Sequence, residues 1–290
     1  MYSAKSLAQD LTALGVPRGG LLVVHSGFRS LGPVDGGPAA VVEALREAVG
    51  PEGTLLMPTF TTQLIDPATW PVPPSPEERE RLMAQMQLYD PAKSPPHKMG
   101  AVATALWRTP GARRSLHPIT SWTAIGPLAE ALTADHPRED PEGRHGPVGR
   151  AWERDARVLL LGVDHDANTT IHLAESLLDM PHLYALPDCY PERAADGAIV
   201  WRPVTKTTKC SDGFVGIGPR LEAAGAVRRG QVGQAPCMLL RSREIVRVAV
   251  EPLLREPEAL LCGDAECVHC PTSRQLLRAW KRPAPPALFD

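Results

Sequence analysis

The chain lacks the features that would place it in a membrane or on a nucleic acid. No apolar stretch among its 290 residues approaches the roughly 18 needed to cross a bilayer. The opening segment MYSAKSLAQDLTAL has neither the basic start nor the apolar centre of a secretion signal, so the expected location is the cytoplasm. There is no run of Lys or Arg, and a formal net charge of −2 gives no reason to expect a polyanionic partner. A slightly acidic protein can still present a local acidic surface to a cation. Familiar catalytic signatures are missing too. Gly216-x-Gly218 has no third glycine and no convincing strand before it, which excludes a dinucleotide fingerprint. Neither Gly-x-Ser-x-Gly nor His-Glu-x-x-His occurs. His25 and Ser26 are adjacent, and neighbours on a strand point to opposite faces, so they are not a hydrolase pair. No internal repeat is visible.

What is present suits a soluble globular protein, with 43% hydrophobic and 22% charged residues. Six cysteines in a cytoplasmic setting are expected as thiols or metal ligands. Residues 3–15 have helical spacing and stop at Gly15. Leu21–His25 is a short apolar run suited to a buried strand, and Ser26–Gly37 is a Gly- and Ser-rich loop. Pro38–Val49 is a helix, and Thr54–Pro58 a second strand, giving the crossover unit of an α/β sheet. Residues 59–98 form a Pro-rich insertion with little periodicity, as expected of a functional, mobile or merely superficial loop. Met99–Arg108 and Pro127–Thr133 are expected helices, with a short strand at Ile119–Ala124. Val158–Val163 is the clearest buried strand, and a helix runs from Thr169 to about Asp179. Residues 185–275 form a less regular C-terminal subregion, in which Val232–Gln234 and Met238–Val246 suggest a further helix, and 281–290 a proline-rich tail. The expected fold is a single α/β domain with a mixed central β-sheet flanked by helices.

The segment 158–179 carries the sharpest chemistry. Ligands of open α/β sheets gather beyond the carboxyl ends of strands. Asp164, His165, Asp166, Asn168, Thr169 and Thr170 occupy that position here, with Asn168 a suitable N-cap. Ile171, Ala174, Leu177 and Leu178 make the apolar stripe of the helix. His172, Glu175 and Asp179 share another face. A histidine in the first turn, held by a carboxylate one turn on, suits general-base work. The same spacing also suits a packed histidine beside a solvated glutamate.

At this point four blocks of sequence resemble one family. HSGFRSLGPVDGG (25–37), GPEGTLLMPTFT (50–61), MGAVATALWRTPGARRSLHPITSWTAIG (99–126) and LLLGVDHDANTTIHLAES (159–176) are similar to the aminoglycoside 3-N-acetyltransferases. The match runs from about 5 to 190 and more weakly to about 275. With a late Cys-x-x-Cys it looks nearest to the gentamicin- and apramycin-modifying members. The resemblance implies transfer of acetyl from acetyl-coenzyme A to the 3-amino group of an aminoglycoside, a resistance activity. It implies His172 as the base and Glu175 as its orienting partner, facing the substrate. Coenzyme A is expected on Ser26, Gly27, Phe28, Arg29, Ser30, Leu31 and Gly32, with His117 and Ser121 bordering the cleft. Gly27 stands where the family usually has a second serine, which puts a hydroxyl contact there in question. Arg29 is placed to meet a phosphate. Backbone N–H groups of the 26–32 loop, or at the helix start through Thr170, are expected to face the developing oxyanion. Asp66, Asp164, Asp166, Asn168 and Glu175 are the candidates for holding acceptor ammonium groups.

No cysteine or serine sits in a nucleophile setting, so direct transfer in a ternary complex is expected. Cys267-x-x-Cys270 has the spacing of a zinc knuckle. Cys189 and Cys210 are the chosen further ligands, with Cys262 able to reach the same ion and His269 pointing away. Two other readings remain open: an acetyltransferase of a different biosynthetic amine, and a non-enzymatic protein that sequesters polycations. The first calls for an acceptor panel with thiol-release detection, the second for binding without release. A monomer and a homodimer fit equally.

Overall fold

The computed structural model describes residues 1–70 and 72–281. Its centre is a seven-stranded mixed sheet. In chain order the strands are β1 (Leu21–Ser26), β2 (Thr54–Pro58), β3 (Arg113–Arg114), β4 (Trp122–Ile125), β5 (Arg157–Leu161), β6 (Cys189–Arg193), β7 (Ile199–Pro203), β8 (Arg228–Val232) and β9 (Ala235–Arg241). The large sheet runs β3-β4-β2-β1-β5-β9-β8, and β6-β7 is a separate hairpin. β1 pairs in parallel with β2 and β5, while β4 and β9 flank them antiparallel.

The continuous apolar runs of β1 and β5 follow from burial on both faces. Val23, Leu56, Val158 and Leu160 point into one core, covered by helices Pro147–Glu153, Thr170–Leu177 and Ser242–Arg255. Val24, Leu55, Leu159 and Leu161 point into the other, under helices Ala4–Leu14, Gly37–Val49 and Gly100–Arg108. Helix ends are chemically marked. Ser3 and Ser6 close a reciprocal cap at the first helix, and Gly15 ends it at φ 94°.

Three expectations need correction. The insertion 59–98 is not helix-free: Ser75 caps a helix at Pro76–Gln85, with Glu77 and Glu78 in its first turn. None of its residues is buried, so no apolar period announces it. Met238–Arg241 is strand, not helix. Gly233 at φ 57° turns β8 back into β9, and the helix begins only at Ser242. Helices at Pro147–Glu153 and Cys270–Arg278 were not anticipated. The proline-rich tail 282–290 lies outside the described residues. Among those described, no helix is long and apolar enough to cross a membrane.

Candidate active site

The three parallel strands end together. Ser26 of β1, Pro58 of β2 and Val163 just after β5 all line one cleft of about 990 Å³. The insertion adds Phe60, Thr62, Trp70 and His97 to its wall, and the C-terminal subregion adds Thr208, Lys209, Ser211 and His269. The helix Thr170–Leu177 presents His172 to the same space.

His172 is almost buried, and Phe214 meets its ring edge-on at 4.6 Å between centroids. Its Nδ1 lies 2.6 Å from Glu175 Oε2. A carboxylate there selects the Nδ1–H tautomer and leaves the Nε2 lone pair as the basic atom. The other carboxylate oxygen, Oε1, is 3.2 Å from His182 Nε2. Burial alone would raise the Glu175 pKa, but the two histidines outweigh it and hold the carboxyl at about 2. Glu175 is therefore an anion with both oxygens engaged. It stands behind the base, and it is not among the residues that line the cleft, where the expected binding role would have placed it. His182, across the Pro181 turn, is a partner that the helical spacing could not announce.

The expected oxyanion donors at the helix start are already used. Asn168 N–H donates to His165 O, Thr170 N–H to Asn168 Oδ1 at 3.3 Å and His172 N–H to Thr169 O. Asn168 and Thr170 are buried with the helix entry, and it is Thr169 that lines the cleft. The loop 26–32 is similarly self-satisfied at Gly27, Ser30 and Gly32, whose N–H groups donate to Leu161, Gly27 and Arg29 carbonyls. Two polar atoms at the end of β1 are different. His25 and Ser26 line the cleft, and His25 Nε2 and Ser26 Oγ are buried with no hydrogen-bond partner among the described residues. Burial pushes the His25 pKa down to about 3, so its ring is neutral.

The remaining expected residues divide. Arg29 is exposed, whereas the Leu31 side chain is wholly inside the core and Phe28 packs against it. Gly27 is explained by contact: a Cβ there would come within 2.7 Å of the Gly162 carbonyl oxygen. Gly162 adopts φ 66°, and a Cβ on it would overlap Ser30 Oγ. Gly162→Ala should therefore cost about 3 kcal/mol from strain and overlap together. Thermal melting checks this, and an unchanged midpoint would show that the two loops do not interlock. His117 is buried, its Nδ1 bound by the N–H groups of Ile119 and Thr120, and Ser121 donates to Thr59 O while accepting from Arg114. Both support the wall from behind and do not line it. Asp66 is taken by Arg79, which bonds both its oxygens. Asp164 caps His165 N–H outside the cleft, while Asp166 lies on the wall.

Cys210, Cys262, Cys267 and Cys270 bring their sulfurs within 4.8 Å of one another. Cys262 thus takes the place expected for Cys189. The latter sits on β6, whose position is fixed by a hydrogen bond from Asp66 N–H to the Cys189 carbonyl. Cys270 N–H donates to Cys267 Sγ at 3.4 Å. That donor and the His269 N–H overcome the burial that would raise the Cys267 pKa, and lower it to about 7.

Behind the cleft lies a buried titratable group. Glu142 is fully enclosed, and burial together with the nearby Asp140 raises its carboxyl to about 8. It is protonated in the fold and ionised once unfolded at neutral pH. Its contribution is therefore complete below the ordinary carboxylate range and is lost as pH rises to about 8. Buried histidines act oppositely. His25 at about 3 and His136 at about 4 stay neutral in the fold, so stability falls as pH drops below 6.5. The expected result is a maximum of melting temperature near pH 6.5. Glu142→Gln should remove the alkaline decline and add on the order of 3 kcal/mol at pH 8. Melting curves across pH would disprove this if the variant and the unaltered protein ran parallel.

A model of the aminoglycoside 3-N-acetyltransferase family matches residues 23–253. Aminoglycoside N(3)-acetyltransferase IV from Salmonella sp is 38% identical over 254 residues, covering 87% of each chain. The structure of a histidine-to-alanine mutant of aminoglycoside acetyltransferase AAC(3)-IVa in complex with a gentamicin matches with a TM-score of 0.81 at 36% identity, covering 95% of this chain and 97% of that one. A structure described as AAC-IIIb binary with CoASH matches with a TM-score of 0.74 at 33% identity, covering 87% and 96%.

Proposed function

Because this chain belongs to the aminoglycoside 3-N-acetyltransferase family, we propose that its cleft joins acetyl-coenzyme A to an aminoglycoside and that His172 Nε2 is the base. The protein is an acetyl-coenzyme A-dependent aminoglycoside N(3)-acetyltransferase, and the reading as a transferase of another amine is not favoured. The single observation that carries the site assignment is the His172–Glu175–His182 chain, whose His172 lines the cleft. The gentamicin complex made with a histidine variant of a relative supports a histidine base. The coenzyme A complex of another supports the nucleotide side.

Chemistry follows from what each group can do. The neutral 3-amino nitrogen attacks the thioester carbonyl carbon. Its proton passes to His172 Nε2, and Glu175 stabilises the imidazolium that forms. Collapse of the tetrahedral intermediate breaks the C–S bond, and His172 returns the proton to the departing sulfur. Ser26 Oγ and neutral His25 are the groups best placed to donate to the oxyanion, since both are buried on the wall without partners. Direct transfer is tested by mixing enzyme with acetyl-coenzyme A alone. A trapped acetyl-enzyme would overturn it.

The four clustered cysteines fit a structural zinc ion. Four cysteine sulfurs within mutual reach, with the Cys267 pKa lowered to about 7, make the donor set that zinc takes in closed sites. When bound, the ion would cross-link residues 210 and 262–270. The acetyl-coenzyme A dependence of the family supports an enzyme acting in the cytoplasm.

A further inference from the structure

We propose that Lys209 is a built-in counter-ion that sets how much positive charge an acceptor can bring into the cleft. This rests on the cleft being the aminoglycoside site. Among the described residues, four lining side chains other than histidine carry full charge: Lys98, Asp166, Asp188 and Lys209. Two cations cancel two anions, a surprising balance for a site that receives a polycation. The balance is set by one pair. Lys209 Nζ lies 2.5 Å from Asp188 Oδ1, with the two side chains only 15% and 11% exposed. Screening by solvent is weak at that burial, so the pair is held firmly and its charge is felt by neighbours.

The nearby carboxylates are similarly occupied. Asp66 holds Arg79, and Glu175 holds two histidines. Among the described residues, Asp166 is the one carboxylate that lines the cleft without a protein cation paired to it. An acceptor ammonium approaching Asp188 meets Lys209 already there. It must displace that ammonium or accept repulsion from it, and like charges brought together cost affinity. Each further ammonium on the acceptor meets the same neutral wall. Lys209 therefore biases selection toward acceptors with fewer ammonium groups, and removing it converts Asp188 into an open anionic subsite.

A charge series distinguishes this from a mere tether between β6 and the 208–211 segment. Thiol release is measured for aminoglycosides with increasing numbers of amino groups, at low and physiological salt. The readout is the ratio of kcat/KM for the most charged acceptor to that for the least charged. Lys209→Gln should raise the ratio about tenfold, and more at low salt. Asp188→Asn, which leaves the lysine unpaired, should lower it by a similar factor. The double variant restores neutrality and a near-normal ratio, and Lys209→Arg keeps the normal one. These two also guard against misfolding, because each retains a matched pair. Equal losses for every acceptor in all variants would overturn the proposal and leave Lys209 a tether. Absence of acetylation by the unaltered protein with every acceptor would overturn the aminoglycoside reading itself.

Discussion

Replacing His172 with Ala should lower kcat by about 10²–10⁴-fold, the range for loss of a general base. Coenzyme A affinity should change little, because the proposed role of His172 is proton transfer from the acceptor amine and not a contact to the nucleotide. Glu175→Gln should act on the same step. Its amide retains the shape but cannot stabilise an imidazolium, so kcat should fall about 10²-fold or more with little change in acceptor KM. That KM expectation follows from the observed geometry. Both carboxylate oxygens grip histidines, and Glu175 does not line the cleft. Single-turnover kinetics with both variants provides the check. A fully active His172→Ala enzyme would move the base elsewhere, but not to His117. Burial holds that ring well below its ordinary pKa, and it does not reach the cleft.

The central sheet was legible because burial on both faces leaves its mark as unbroken apolar runs, at Leu21–Val24 and Val158–Leu161. The His172–Glu175 pair was legible because helical spacing fixes which side chains meet. What failed depended on distance in sequence. His182 reaches Glu175 across a turn, and Lys209 reaches Asp188 from beyond the β6–β7 hairpin. Asp66 reads as a free carboxylate because the helix carrying Arg79 buries none of its residues and leaves no apolar signature. The second half of β9 reads as helix because its buried residues run straight into an amphipathic helix with no break but Arg241–Ser242. The backbone donors expected at the helix start are occupied for another reason. A helix start advertises unpaired N–H groups, but here Asn168 and a tight turn consume them.

Removing the proposed zinc should have the second large effect. Protein purified without chelator is expected to hold about one zinc per chain. Cys262→Ser should lose it, whereas Cys189→Ser should keep it, since Cys189 lies outside the sulfur cluster. Binding energy at a structural site is folding energy, so strong chelation should lower the melting temperature by about 10 °C. The chemical step should survive, because closed four-sulfur coordination leaves no position for water or substrate. Acceptor binding should not survive equally well. Lys209 and Ser211 flank Cys210, His269 lies between Cys267 and Cys270, and all three line the cleft. Loosening the knuckle frees that wall while leaving β1, β2 and β5 in place. Chelation should thus raise acceptor KM several-fold, with coenzyme A affinity nearly constant. Metal-free protein with an unchanged melting temperature after Cys262→Ser would rule the site out. Loss of coenzyme A affinity equal to the loss for the acceptor would show that the cluster supports the whole cleft and not one wall of it.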